Sequence, residues 1–124
     1  MAATNIRSKK LLAAAEGQSC VNCGVRDDTV VAAHYQGIRA QLFGKGKYEN
    51  PHDLVVADLC GNCHRAFDNY EGSYYKDDYM RKIDLSERFL FCVLTTLIRR
   101  VGQGVVTLPD HYVDKLIQHL PKRL

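Results

Sequence analysis

The sequence predicts a small α+β domain built around four cysteines, and three observations carry that expectation. Cys20 with Cys23 and Cys60 with Cys63 form two CxxC pairs, each next to a short β-branched or apolar run, TVVAAH and DLVVADLC. Helical periodicity is confined to the two ends of the chain, before the first pair and after the second. A length of 124 residues, 46% of them hydrophobic and only three of them proline, fits one compact domain over residues 1–124. The motif-bearing core is expected at about 20–70 and a helical extension at about 85–124.

Each element has a local reason. Ser8 can cap a helix over Lys9–Glu16 that Gly17 ends with a left-handed cap. SCVNCG is a tight knuckle, and TVVAAH then reads as a strand from Thr29 to His34. GIRAQLFGKGKYENP carries three glycines, three basic residues and a proline without a hydrophobic period, so residues 37–51 read as loop. DLVVADLC reads as a second strand from Asp53 to Cys60, followed by a helix beginning near Cys63. EGSYYKDDYMRKID has no clear assignment. Asp84 or Ser86 then caps a helix from about Glu87 to Arg100, with Phe89, Leu90, Val93, Leu94, Leu97 and Ile98 at core spacing. A last helix is expected near Pro109, burying Tyr112, Val113, Leu116, Ile117 and Leu120 against the domain or in a homodimer interface.

Charge and compartment narrow the chemistry. The net charge of +3 comes from 17 basic and 14 acidic residues mixed along the chain, which permits nucleic-acid binding without requiring it. The apolar run Leu11–Ala15 is too short for a signal-peptide core or a membrane span, which predicts a cytoplasmic protein with no membrane partner. In a reducing compartment two CxxC pairs are expected to be metal ligands rather than disulfides, and four thiolates close a tetrahedral structural zinc site. CGNCH also spells the attachment signature of a c-type haem, but a haem would leave Cys20 and Cys23 without a purpose. A redox dithiol would need a βαβ surround that the pattern lacks. Cys92, the odd cysteine, falls within an apolar helix as a small buried thiol.

The helix after the second knuckle carries His64 and Asp68 at i and i+4, which puts an imidazole and a carboxylate on one face. An N/O pair of this kind suits a hard or borderline divalent ion. The alternative is that His64 neighbours the zinc site and Asp68 is a solvated helix residue.

Taken together, CVNC, AAH, DLVVADLCGNCH and HRAFD resemble the HNH, or ββα-metal, endonuclease family. The likeness covers about Cys20 to Asn69 and is strongest to the YbcO group of small nucleases of lambdoid prophages. The nuclease module of the phage RecA-dependent nuclease Ref is similar. The resemblance implies a β-hairpin and a helix gripping one catalytic ion, Mg²⁺ or Mn²⁺, with the cysteines holding a structural Zn²⁺. It further implies His34 as the general base, His64 as a ligand of the catalytic ion with Asp68 as the second, and hydrolysis of DNA to 5′-phosphate and 3′-hydroxyl ends. Ala33 stands where many family members carry an aspartate ligand, so Asp68 would take that part. The middle position, usually Asn, is assigned to Asp53 as the residue that orients His34, with Asn50 and His52 as alternatives.

Arg39, Lys45 and Lys47 lie in the glycine-bearing loop, where they would meet DNA phosphates or remain solvated charges. Tyr70, Tyr74, Tyr75 and Tyr79 would pack the adjoining helices or stack on unpaired bases. The expected function is therefore a phage-type DNA endonuclease acting in recombination or DNA processing in the bacterial host cell, with a recombinase as a possible partner. The rival is a catalytically silent zinc-knuckle module that binds DNA or protein. A zinc nucleobase deaminase would need an HxE element, which AAHYQG does not offer.

Overall fold

The computed structural model describes residues 5–109 and 111. The elements follow in the order α1 (Lys9–Ala13), β1 (Val31–His34), β2 (Val56–Leu59), α2 (Gly61–Asp68) and α3 (Asp78–Gly102). The architecture is a small α+β fold: β1 and β2 form a two-stranded antiparallel sheet, with Val31 opposite Leu59 and His34 opposite Val56. The helix near Pro109 falls outside the described residues.

The ends of the elements differ from those expected, each for a local reason. Ser8 caps α1 through its side chain, but regular helix ends at Ala13 and hydrogen-bonded turns carry the chain on to Gln18. The strands are shorter than the β-branched runs, and Asp53 lies in the turn before β2 rather than at its start. Loop 37–51 is partly ordered as a 3₁₀ turn over Ala40–Phe43 and a β-bridge between Gly46 and Glu49. Gly37 has a steric reason, because a Cβ there would lie 2.3 Å from the Tyr35 hydroxyl.

The largest departure is α3. It starts nine residues earlier than Glu87, at Asp78, with Asp77 Oδ2 accepting from Met80 N–H, so Asp84 and Ser86 lie inside it. Its first turns expose Tyr79, Met80 and Ile83, and that lack of a buried stripe hides them from a periodicity argument. Phe89 and Val93 face the core as expected, whereas Leu94 is 57% exposed. Tyr74, Tyr75 and Tyr79 are exposed rather than packing residues.

The core lies between the sheet, α2 and α3. Phe89 stacks on Phe67 of α2 at 4.8 Å between ring centroids and meets Tyr35 edge-on at 5.2 Å. Tyr35 is buried with its hydroxyl 2.5 Å from Ser86 Oγ, so the apolar ring keeps a polar partner. Cys92 is buried in the same cluster.

Beneath that core is a charge cluster that the sequence did not signal. All four residues of β2 are buried, including Asp58. Its carboxylate accepts from Arg99 Nη1 at 2.9 Å and from both Nη atoms of Arg100, two buried neighbours at the end of α3. Arg99 also donates to Ser19 O at 2.8 Å, and Arg100 Nε to Leu11 O at 3.2 Å. The cluster thus ties β2, α3, α1 and the segment leading into the first knuckle. Asp58→Ala should destabilise the protein by about 3–5 kcal/mol, because it strands two buried guanidinium groups. Urea unfolding of the zinc-loaded protein checks this, and a loss below about 1 kcal/mol would show that the pairing contributes little net stability.

Candidate functional site

The knuckles bring the four predicted cysteines into one cluster. At the first, Gly24 N–H donates to Cys20 O at 2.8 Å, and Gly24 takes the left-handed conformation (φ 84°) that favours glycine. At the second, Cys60 is the N-cap of α2, and its Sγ accepts from Cys63 N–H at 3.5 Å. Val21 N–H donates to Asp58 O at 2.9 Å, which holds the first knuckle against the strand that ends at the second.

The sulfurs of Cys20, Cys23, Cys60 and Cys63 all lie within 4.8 Å of one another. Cys23 Sγ and Cys60 Sγ are 3.7 Å apart, near the separation of about 3.8 Å that two ligands 2.3 Å from a tetrahedral zinc ion must have. That spacing is far longer than the roughly 2.05 Å of a disulfide. The cluster could therefore hold a zinc ion structurally, and its donor chemistry fits one.

Burial and mutual proximity shift the thiols in different directions. Burial pushes Cys63 up, and the neighbouring sulfurs add to the effect against the opposing hydrogen bond from Asn22. Burial also raises Cys23, against a hydrogen bond from Val25 N–H. At Cys20 burial acts in the same direction but is outweighed by backbone N–H groups of Cys23, Cys60 and Asn22, so its thiol is lowered. A cation among the sulfurs relieves this crowding and expels their protons.

A second constellation surrounds His34, at the end of β1. Its Nε2 lies 2.8 Å from Asp53 Oδ1, and the imidazole is 16% exposed. Asp53 also accepts from Arg7 Nη1 at 3.0 Å and from Ser8 N–H at 2.7 Å. Burial favours the neutral acid, but the hydrogen bonds from His34, Ser8 and Arg7 outweigh it and hold Asp53 below the usual carboxylate range. An ionised carboxylate only accepts, so His34 Nε2 donates to it, and in the neutral form of the ring Nδ1 is the acceptor.

The other middle-position candidates are engaged elsewhere. Asn50 Oδ1 accepts from Gln36, and His52 Nδ1 accepts from Ile6 N–H at 2.8 Å. Arg7 escaped the sequence reading, since its contact with Asp53 spans 46 residues and no local pattern marks it.

His64 and Asp68 face one another on α2, with Nε2 and Oδ2 3.3 Å apart and both side chains over a third exposed. Two adjacent ligands of an octahedral ion at about 2.1 Å are roughly 3 Å apart, so this pair fits one edge of such a shell with water completing it. Among the described residues, the four cysteines are the one group of three or more His, Cys, Asp or Glu ligand atoms gathered closely enough to hold an ion. His34 and Asp53 do not join His64 and Asp68 in a single ligand set.

Lys45 and Lys47 line an open concavity of about 520 Å³ together with Gly37, Ala40 and Gly46. Arg39 borders a separate groove against Ile83 and Leu90 of α3. No described helix is long and apolar enough to cross a membrane. The chain matches no protein-family model, no curated protein and no solved structure.

Two outcomes are expected. Purified protein should carry about one zinc per chain by elemental analysis, and Cys20→Ser or Cys63→Ser should lose it to a chelator that leaves the parent loaded. Asp53→Asn tests the carboxylate. Its lowered native value means that its stabilisation is complete above the unfolded value of about 3.9 and is lost as pH falls through the native one. The wild-type advantage over Asp53→Asn should shrink as pH falls below about 4. The difference between the two denaturation curves is the readout, since zinc release affects both proteins.

Proposed function

We propose that the chain is a metal-dependent DNA endonuclease of the HNH type, with a structural zinc on the four cysteines and a separate divalent ion, Mg²⁺ or Mn²⁺, on His64 and Asp68. The observation that supports this most is the 2.8 Å contact between His34 and Asp53, because it fixes the ring by one nitrogen and turns the other, Nδ1, into the atom that takes a proton in the neutral form. The resemblance of AAH, DLVVADLCGNCH and HRAFD to that family points the same way.

In this reading His34 Nδ1 takes a proton from the attacking water while Asp53 steadies the imidazolium that forms. Arg7 and the Ser8 N–H hold Asp53 ionised and in place, as an orienting carboxylate must be. The ion on His64 and Asp68 would supply charge stabilisation at the scissile phosphate and the leaving 3′-oxygen. Both side chains are open to solvent, so a phosphate oxygen could reach the same shell. Lys45 and Lys47 would hold the DNA backbone through sequence-independent, salt-sensitive contacts, with Arg39 extending them towards α3. A role in recombination or DNA processing, with a recombinase as partner, follows from the phage-type resemblance alone.

The test is cleavage of linear, nicked, single-stranded and four-way DNA with Mg²⁺ or Mn²⁺. His34→Ala should lower the rate by about 10²- to 10⁴-fold, and His64→Ala should abolish the metal dependence. Unchanged cleavage by His34→Ala would remove the assigned base. Metal-independent binding without cleavage would favour the zinc-knuckle binding module instead.

A further inference from the structure

We infer that Asn22, the third residue of CVNC's knuckle, is a positioning residue of the four-sulfur centre, donating its carboxamide N–H to the Cys63 sulfur and so tuning the bound metal. The inference rests on the reading that the cluster holds zinc. It does not depend on nuclease activity.

The geometry is specific to one ligand. Cys60 Sγ accepts the backbone N–H of Cys63 at 3.5 Å. Cys63 is approached instead by a side chain, with Asn22 Nδ2 3.3 Å from its Sγ. Four thiolates around Zn²⁺ leave the centre with two net negative charges, and N–H dipoles aimed at sulfur draw part of that charge off the ligands. Asn22 gives Cys63 what a backbone N–H gives Cys60.

The carboxamide is also held from behind. Cys92 Sγ of α3 lies 4.0 Å from Asn22 Oδ1, on the opposite end of the amide from the Cys63 contact. Oxygen towards the Cys92 thiol and nitrogen towards the metal ligand is the orientation in which each atom meets a group of suitable sign. Cys92 is buried in the core, so α3 fixes a group that acts on the metal centre without contributing a ligand.

The experiment compares full-length wild type, Asn22→Ala and Asn22→Asp. Zinc affinity is read by competition with a chelating dye, and the sulfur-to-metal charge-transfer band is read in the Co²⁺-substituted proteins. Asn22→Ala should weaken zinc binding about 10-fold and move the band to longer wavelength, since a sulfur that loses a hydrogen bond is more electron-rich. Asn22→Asp keeps the shape while placing a carboxylate beside the thiolate, and it should weaken zinc further and move the band further the same way. A wild-type band position in both variants overturns the inference whatever their affinity, because weaker binding with an unshifted band marks a packing role. Wild-type protein that binds neither zinc nor cobalt overturns both this inference and the zinc reading, whereas loss of the band shift alone overturns only the role of Asn22.

Discussion

The structure hangs on one buried carboxylate. Asp58 sits inside β2 with no exposed surface, where an unpaired charge would cost several kcal/mol, and the consecutive guanidinium groups of Arg99 and Arg100 enclose it. Each arginine then reaches a different segment, Ser19 for Arg99 and Leu11 for Arg100. Two positive charges meet one negative charge, and those backbone carbonyls take up part of the excess. Because Ser19 immediately precedes Cys20 and Asp58 stands two residues before Cys60, the cluster fixes the approach of the two CxxC pairs. Gln103 Nε2 adds a hydrogen bond to Ala14 O, so the end of α3 also caps the carbonyl end of α1. A metal in the sulfur cluster would therefore close a contact that protein groups have already brought near.

The surroundings of His34 depend on a different long-range constraint. Residues 5–8 run along residues 44–53 as a strap: Asn5 donates to Gly44 O, Ile6 N–H to His52 Nδ1, and Arg7 to Asp53 and to the carbonyls of Asn50 and Pro51. Removing the strap would leave the loop's carbonyls and the Asp53 carboxylate with fewer donors. The orientation of the proposed base is thus set by the segment before α1, far from the strands that carry His34 in sequence. In an HNH-type reaction such preorganisation counts, because the imidazole must already present the correct nitrogen when water arrives.

What could be read from sequence divides along the same line between local and distant causes. The cysteine spacing, the Ser8 cap, a strand ending at His34 and the pairing of His64 with Asp68 follow from residues a few positions apart, and all appear in the structure, the strand starting at Val31 rather than Thr29. The early turns of α3 were hidden because helix formation there starts from the Asp77 cap rather than from an apolar stripe. Asp58 was hidden by its context, since an aspartate within DLVVADLC reads as a polar interruption until Arg99 and Arg100 arrive from about forty residues away. Arg7 and Asn22 were hidden for a similar reason: their partners lie 46 and 41 residues distant, and single-chain patterns carry no record of such pairings.

The segment CGNCHRAFD sets two kinds of donor group along one backbone. Cys60 ends the strand side and caps α2, which places its sulfur at the positive end of a helix dipole. His64 N–H donates to Cys60 O at 2.9 Å, so residue 64 stands one turn beyond that cap, and Asp68 follows one turn later. Soft sulfur gathers at the helix start, partly buried, while nitrogen and oxygen donors stand farther along in solvent. That separation would sort ions by softness, with zinc drawn to the thiolates and a hydrated hard ion left to the exposed pair. The sorting depends on the phase between Cys63 and His64: a residue inserted between them would rotate His64 and Asp68 by about 100° around α2 and leave the CxxC spacing unchanged. If His64 and Asp68 hold the proposed ion, the adjacency of cysteine and histidine that spells a haem signature follows from helical phase.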